Sequence, residues 1–179
     1  HQILSVVKHF PGHGATAGDS HEGTVSTDKS LDDLLANEFV PFQQAVNNGA
    51  SFVMVGHISA PAVTGDDTPA SLSSVMVTDV LRNQLGFHGV VITDAMNMGA
   101  IAGTYSSSDA AVAAIQAGVD MILMPEDFQS AYQGVIDAVT SGTITEDRIN
   151  ESVARIIKVK GDSYYRIRRI KVGGQNEEK

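Results

Sequence analysis

The stretch Gly89-Val90-Val91-Ile92-Thr93-Asp94 decides the predicted fold, because it is an apolar run of strand length that ends on a carboxylate. A nearly continuous apolar run is typical of a parallel strand that is covered on both faces. Comparable runs occur at residues 4–7, 52–55 and 121–124. The sequence therefore predicts four buried parallel strands, the third of them at residues 90–93, with Asp94 just past its end.

Helical patterns lie between and after these strands. Residues 30–48 predict a helix that restarts near Pro41 and ends at Gly49, and residues 74–85 predict a helix that Gly86 closes. Residues 108–117 predict a third helix, capped by Ser108 or Asp109. Apolar residues recur at helical spacing in two further segments, namely Phe128, Tyr132, Val135 and Val139, and, after a capping Thr145, Ile149, Val153, Ile156 and Ile157.

The alternation of strands and helices predicts an α/β fold, the C-terminal portion (about four βα units) of a (β/α)8 TIM-type barrel. A complete barrel needs at least about 200 to 250 residues, and the chain has 179. We therefore expect residues 1–158 to form the C-terminal half of a catalytic barrel, with the missing N-terminal half as its structural partner. Residues 159–179 lack a clear apolar stripe, so we expect an atypical, disordered tail without an assigned function.

Composition and charge limit the classes of partner. With 42% apolar and 18% charged residues, the chain has the composition of a globular protein. Its formal net charge of −9 argues against nucleic acid or an anionic membrane, because both attract lysine and arginine. No apolar run reaches the roughly 18 residues that a membrane span requires. A neutral small molecule fits this charge better.

The motifs that hold metals and phosphates are missing from the sequence. The chain has no cysteine, which excludes a disulfide framework and a thiolate metal site but leaves the compartment, cytoplasmic or secreted, undetermined. It also has no H-E-x-x-H helix, no EF-hand loop and no glycine-rich loop that ends in G-K-S/T. We therefore predict no metal site and no cofactor.

Three stretches together resemble a known family. They are residues 8–14 (Lys-His-Phe-Pro-Gly-His-Gly), residues 19–21 (Asp-Ser-His) and residues 93–99 (Thr-Asp-Ala-Met-Asn-Met-Gly). In this order they are similar to the family 3 glycoside hydrolases, specifically the β-N-acetylglucosaminidase branch, over roughly residues 3–158. The resemblance implies a retaining exo-enzyme that removes terminal β-linked N-acetylglucosamine from cell-wall muropeptides or chitin-type glycans. Such an enzyme works through a covalent glycosyl intermediate and needs no cofactor.

The resemblance makes Asp94 the nucleophile. A carboxylate suits this task, because it stays ionised at neutral pH and can form and then release an ester with the sugar. Barrel enzymes place such groups at the carboxyl ends of their strands. The alternative is an aspartate that only caps the following turn.

In this branch the acid and base is a histidine held by an aspartate, and the resemblance assigns these roles to His21 and Asp19. Residues two apart in an extended segment project to the same side, so the spacing Asp19-x-His21 permits the contact. The aspartate would fix the imidazole tautomer and favour its protonated form. The alternative is two polar residues in a solvated loop.

Four further residues are candidates for binding the substrate. The resemblance implies that Lys8 and His9 hold hydroxyls of the sugar, although Lys8 could instead pair with a carboxylate at the barrel mouth. His57 closes the second predicted strand and either faces the same mouth or is a structural histidine bonded to a neighbouring loop. Met96 either lines an apolar wall beside the acetamido group or packs the turn after Asp94.

Two other functions remain open at this point. A glycosyl phosphorylase of the same family is an alternative, because a histidine acid and base repels incoming phosphate less than a glutamate would. A catalytically inert half barrel is the alternative from a different class. Such a chain would carry the motifs but lack the sugar contacts that the rest of the barrel supplies.

Overall fold

A computed structural model describes residues 3–16 and 25–173 of the chain, and its centre is a parallel sheet. The strands are β1 (Val6–Phe10), β2 (Val25–Ser26), β3 (Phe52–Val55), β4 (Ile58–Ser59), β5 (Val90–Ala95) and β6 (Met121–Leu123). One sheet has the order β1-β3-β5-β6 with every pair parallel, and β2 pairs with β4 separately. The predicted α/β class with four parallel strands is confirmed, although β1 lies two to three residues later than the predicted strand.

The helices follow the strands, as the alternation predicts. They are α1 (Leu31–Ala36), α2 (Val40–Asn47), α3 (Pro61–Thr64), α4 (Gly99–Ala102), α5 (Ser107–Ala117), α6 (Phe128–Thr140) and α7 (Glu146–Gly173), with 3₁₀ turns at His13–Ala15 and Ala70–Leu72 and a π-helix at Val75–Gln84. The predicted restart near Pro41 is confirmed, because Pro41 lies in the first turn of α2. A proline is tolerated there since its missing N–H would have no partner within the helix.

One of the two predicted N-terminal caps is confirmed and the other is wrong. Thr145 accepts the backbone N–H of Arg148 at 3.2 Å and so caps α7. The cap of α5 is Ser106, not Ser108 or Asp109, because Ser106 accepts the N–H of Asp109 at 3.0 Å. The Ser106 hydroxyl also donates to the Asp109 carboxylate at 2.7 Å, so Asp109 supports the cap from inside the first turn.

The last helix is longer than the sequence predicts. The apolar stripe stops at Lys158, but α7 continues to Gly173. A single interior glycine, Gly161, costs only about 1 kcal/mol relative to alanine, which does not end a helix that is already nucleated. The expected disorder at residues 174–179 lies outside the described residues, and the division into a domain of residues 1–158 and a tail of residues 159–179 stays a prediction.

A buried phenylalanine fixes the carboxyl end of β1. Phe10 is fully buried, stacks on Phe39 with ring centroids 4.9 Å apart, and meets Phe42 edge to face at 5.3 Å. Burial of one such side chain contributes about 1.5–3 kcal/mol. The end of β1, where the Lys-His motif lies, is therefore held by packing against the region of α1 and α2.

At the other end of the sheet, an ionic cluster centres on Asp120, just before β6. Its carboxylate is fully buried and accepts from Arg82 at 2.7 Å, Arg155 at 3.0 Å and Ser152 at 2.7 Å. It also accepts the backbone N–H of Val91 at 2.9 Å. Burial is the main cause that lowers the pKa of Arg82, although Asp120 acts in the opposite direction. The cluster ties α7 and the π-helix to the amino ends of β5 and β6.

Some large apolar side chains are exposed to solvent. Near β1 these are Ile3, Leu4 and Val6, and on α6 they are Phe128, Tyr132 and Ile136. A half barrel is expected to leave such faces open, because further strands and helices would cover them. None of the helices among the described residues has the length and apolar character of a membrane span.

Candidate active site

Asp94 lies at the carboxyl end of β5, in a backbone that is held from both sides. Its Oδ1 accepts the N–H of Ala95 at 2.8 Å, and its side chain is 18% exposed. Thr93 accepts the N–H of Leu123 at 3.0 Å, and Met96 donates its N–H to the carbonyl of Leu123 at 2.9 Å. These bonds join the ends of β5 and β6, so Asp94 is a fixed carboxylate that solvent still reaches.

The structure brings His9 and Asp94 together. The His9 Nε2 lies 3.5 Å from the Asp94 Oδ2, although β3 separates their two strands. Gly56, just after β3, makes room for this approach, because a Cβ there would lie 3.3 Å from the Cβ of His9. The peptide bonds Lys8–His9 and Phe10–Pro11 are cis. The carboxyl ends of β1 and β5 thus place a histidine beside a carboxylate.

Lys8 and His13 flank this pair. Lys8 is exposed, and it forms no ion pair among the described residues, so the alternative of an ion pair at the barrel mouth gains no support. The His13 ring lies edge to face with the His9 ring, with centroids 6.3 Å apart. The Thr16 hydroxyl donates to the His13 carbonyl at 2.8 Å, which closes the turn after the motif. The predicted sugar contact of Lys8 and His9 stays a prediction.

The proposed acid and base, His21, and its partner, Asp19, lie outside the described residues. The described residues resume at Val25, where β2 begins. Strand β2 pairs with β4 through Val25–Ile58 and Ser26–Ser59. The Thr27 N–H also donates to the Ser59 carbonyl at 2.9 Å. The chain that follows the Asp-x-His motif is therefore anchored to the segment just after His57.

His57 is almost completely buried, and both of its ring nitrogens are occupied. Its Nε2 lies 3.0 Å from the Ala95 carbonyl, and its Nδ1 lies 2.8 Å from the hydroxyl of the buried Ser71. A carbonyl only accepts, so Nε2 carries the proton and Nδ1 accepts from Ser71. The structure favours the structural alternative for His57 over direct contact with a substrate, because no ring nitrogen is available to one.

We expect His57 to make stability depend on pH. Burial is the main cause that lowers its pKa below the ordinary value of about 6.5, although the Ala95 carbonyl and Asp94 act in the opposite direction. Below pH 6.5 the unfolded chain therefore binds a proton that the folded chain does not. The contribution of neutral His57 to the free energy of unfolding is fully present above pH 6.5. It falls, by at most about 1.4 kcal/mol per pH unit, as the pH decreases towards the folded-state pKa.

Urea unfolding at pH 7.5, 6.5 and 5.5 measures this contribution. His57→Gln should lose stability less steeply between pH 6.5 and 5.5 than the unsubstituted protein does. His88→Gln is the control, since His88 is exposed at the opposite end of the sheet and should keep the original slope. Equal slopes for all three proteins would show that His57 is not the titrating group.

The residues after Asp94 alternate between the core and solvent. Met96 and Met98 are buried, and Met96 packs within the main apolar cluster, whereas Asn97 is exposed. This placement favours packing of the turn as the role of Met96, and its predicted contact with an acetamido group stays a prediction. No group of three or more histidine or acidic side chains suitable for a metal ion occurs within residues 3–16 and 25–173.

Sequence reasoning missed the polar partners that hold this site. Ser71 and the Ala95 carbonyl bind His57, yet they lie 14 and 38 residues away in the sequence. A serine in a short loop carries no motif, and a backbone carbonyl carries no sequence signal. The only available indication was the position of His57 at the end of a predicted strand.

Comparison with known proteins gives related sequences and folds. The chain is 32% identical over 178 residues to β-hexosaminidase A of Pseudoalteromonas piscicida, covering 88% of this chain and 30% of that protein. A family 3 β-N-acetylglucosaminidase from Paenibacillus sp. str. FPU-7 superposes with a TM-score of 0.89 and 38% identity, over 91% of this chain and 32% of that one. The β-glucoside phosphorylase BglX bound to 2FGlc gives 0.85 and 27% identity, over 91% and 31%.

The chain thus spans about a third of the length of these proteins. Its parallel sheet matches part of their barrel domain, as the four βα units predict. The model for the N-terminal domain of glycosyl hydrolase family 3 matches residues 1–159. This match covers the stretch that holds His9 and Asp94, and it confirms the resemblance on which the site was predicted. The chain therefore belongs to glycoside hydrolase family 3.

Proposed function

We propose that this chain carries the nucleophile side of a retaining exo-β-N-acetylglucosaminidase that hydrolyses terminal β-linked N-acetylglucosamine. The observation that supports this most is the placement of Asp94, an accessible carboxylate at the carboxyl end of β5 with the His9 Nε2 3.5 Å away. The names of two similar proteins, a β-hexosaminidase and a β-N-acetylglucosaminidase, support the choice of sugar. Cell-wall muropeptides and chitin-type glycans both carry such a terminal residue.

The first step of the proposed reaction forms an ester. Asp94 attacks the anomeric carbon, and the bond from that carbon to the leaving oxygen breaks as His21 donates a proton to this oxygen. Asp19 keeps the His21 ring oriented and favours its protonated form. Lys8 and His9 hold sugar hydroxyls that do not react, which fixes the ring relative to Asp94.

The second step releases the sugar. His21, now neutral, takes a proton from water, and the water oxygen attacks the same carbon as the bond to Asp94 breaks. The two inversions give net retention of configuration. The sugar leaves with its new hydroxyl, and both Asp94 and protonated His21 are restored.

Trapping of the covalent intermediate tests the proposal. A fluorinated N-acetylglucosaminide with a good leaving group slows the second step, so the sugar should accumulate on the peptide that contains Asp94, as detected by mass spectrometry after proteolysis. The experiment compares the 179-residue chain with a longer protein that includes it. An adduct in neither would contradict the assignment, and an adduct in the longer protein alone would identify this chain as an inert part of an active enzyme.

A phosphorylase is the second candidate, because one of the structurally similar proteins is a β-glucoside phosphorylase. The same Asp94 ester would then be attacked by phosphate instead of water. Product analysis with and without inorganic phosphate separates the two reactions. Free N-acetylglucosamine at equal rates in both supports hydrolysis, whereas a sugar phosphate formed only with phosphate supports the alternative.

The role of His21 predicts a dependence on the leaving group. His21→Ala should slow substrates with poor, alkoxide-like leaving groups by on the order of 10²-fold or more, because they need the proton. Substrates with an activated aryl leaving group should be slowed far less in the first step. The measurement is kcat/KM over a series of leaving groups of graded pKa. An equal loss across the series would remove His21 from the acid role.

A further inference from the structure

We propose that His57 is a positioning residue for Asp94 and acts through the carbonyl of Ala95. The His57 Nε2 lies 3.0 Å from this carbonyl, which belongs to the residue directly after the nucleophile. This inference rests on the proposed function, because it concerns the reactivity of Asp94. It assigns His57 no contact with the sugar.

The backbone of Ala95 connects His57 to the nucleophile. The N–H of Ala95 donates to the Asp94 Oδ1 at 2.8 Å, so the orientation of this N–H determines where the carboxylate points. The next peptide group is held at both ends: His57 donates to the Ala95 carbonyl, and the Met96 N–H donates to the Leu123 carbonyl at 2.9 Å. Displacement of this peptide group would shift Ala95, and with it the N–H that binds Asp94.

His57 is itself held rigidly. The residue is 1% exposed, and the Ser71 hydroxyl donates to its Nδ1 at 2.8 Å. The following residues Ile58 and Ser59 pair with β2, which fixes the backbone on the other side of the ring. Because the His57 ring is buried and makes two hydrogen bonds, it has little freedom to move and can hold the Ala95 carbonyl in one position. Hydrogen bonds of this kind fix catalytic groups in place.

Other bonds do not replace this contact. The Met98 N–H also donates to the Ala95 carbonyl, at 3.1 Å, but it belongs to the turn that follows Asp94. His57 is the described side chain that joins this carbonyl to β3 and to the Ser71 turn. Loss of His57 should leave the fold in place and allow the Asp94 turn to move as a unit.

Two substitutions separate positioning from packing. His57→Leu removes both hydrogen bonds and keeps most of the volume, whereas His57→Gln keeps an N–H group near the position of Nε2. With an activated aryl β-N-acetylglucosaminide and the fluorinated trapping reagent, we expect His57→Leu to lower kcat and the labelling rate of Asp94 about 30- to 100-fold, since a displacement of about 1 Å can cost 10²-fold. KM should change less than about threefold. His57→Gln should recover at least a third of the original rate, and His88→Leu, the exposed control, should leave it unchanged.

The outcomes distinguish this inference from the proposed function. If the unsubstituted longer protein fails to label Asp94, the proposed function is wrong and the inference with it. If that protein labels Asp94 and folded His57→Leu labels it at the same rate, only the positioning role is wrong. Should His57→Leu not fold, proton–nitrogen NMR of the unsubstituted protein decides: a slowly exchanging Nε2–H supports the role, and a proton on Nδ1 would overturn it.

Discussion

Replacement of Asp94 by glycine should lower turnover of an aryl β-N-acetylglucosaminide on the order of 10⁴-fold or more, because the proposed mechanism would then lack the oxygen that attacks the sugar. By transition-state theory this corresponds to about 5.4 kcal/mol. Added azide should then restore part of the rate, since the space left by the side chain admits a small anion on the same face of the sugar. The product should be the α-glycosyl azide, because a single displacement inverts the anomeric centre.

Two controls make this result specific to the nucleophile. Asp94→Asn should be as slow as the glycine variant but should not respond to azide, because the amide fills the space. Asp137→Asn removes a charge from the exposed face of α6 and should keep full turnover. A glycine variant that retained more than a tenth of the rate, or a β-configured azide product by NMR, would contradict the role of Asp94.

The largest expected effect on stability comes from Asp120→Asn. The substitution keeps the shape of the side chain but removes the negative charge that Arg82 and Arg155 share. Arg148 lies 3.9 Å from the same carboxylate. Removal of one partner from a buried ionic group costs about 3–5 kcal/mol, because the remaining charges stay buried without compensation. For a chain of this size, each kcal/mol lowers Tm by about 2–4 °C. We therefore expect Tm to fall by about 6 to 20 °C.

The double variant Asp120→Asn with Arg82→Met tests the reason for this loss. It also removes the arginine closest to the missing charge, so it should be less destabilised than the sum of the two single changes. Urea unfolding gives the free energies, and Asp137→Asn, at an exposed site, should lie within about 0.5 kcal/mol of the unsubstituted protein. A loss below 1 kcal/mol for Asp120→Asn would show that the cluster contributes little to stability.

Local patterns in the sequence were sufficient to predict most of the fold. The apolar run of β5 and the helical spacing in α6 each extend over one element, so the element types and the parallel class follow from residues close together in the chain. The exact ends depend on tertiary contacts, which explains why β1 begins at Val6 and α5 begins after Ser106. The extension of α7 was missed because the stripe stops before the helix does.

Motifs in the sequence indicated candidate residues for the site, whereas contacts between residues that are distant in the sequence could not be predicted. The motifs indicated Asp94 and His9 as candidates, and the structure brings the two side chains within 3.5 Å, while their roles stay predictions. The bonds of His57 to Ser71 and of Asp120 to Arg82 join residues 14 and 38 positions apart. Such pairs leave no periodicity in a single sequence, so only the folded arrangement reveals them.

The opposite placement of Asp94 and Asp120 along the sheet has a practical consequence for engineering. Asp94 lies at the carboxyl end of β5, whereas the Asp120 carboxylate accepts the N–H of Val91 near the amino end of the same strand. Variants selected for survival on heating can therefore be sought around the amino ends of the strands, and variants selected for a different glycan around the carboxyl ends. Gains from the two searches should combine in one chain with little mutual interference, because distant substitutions add.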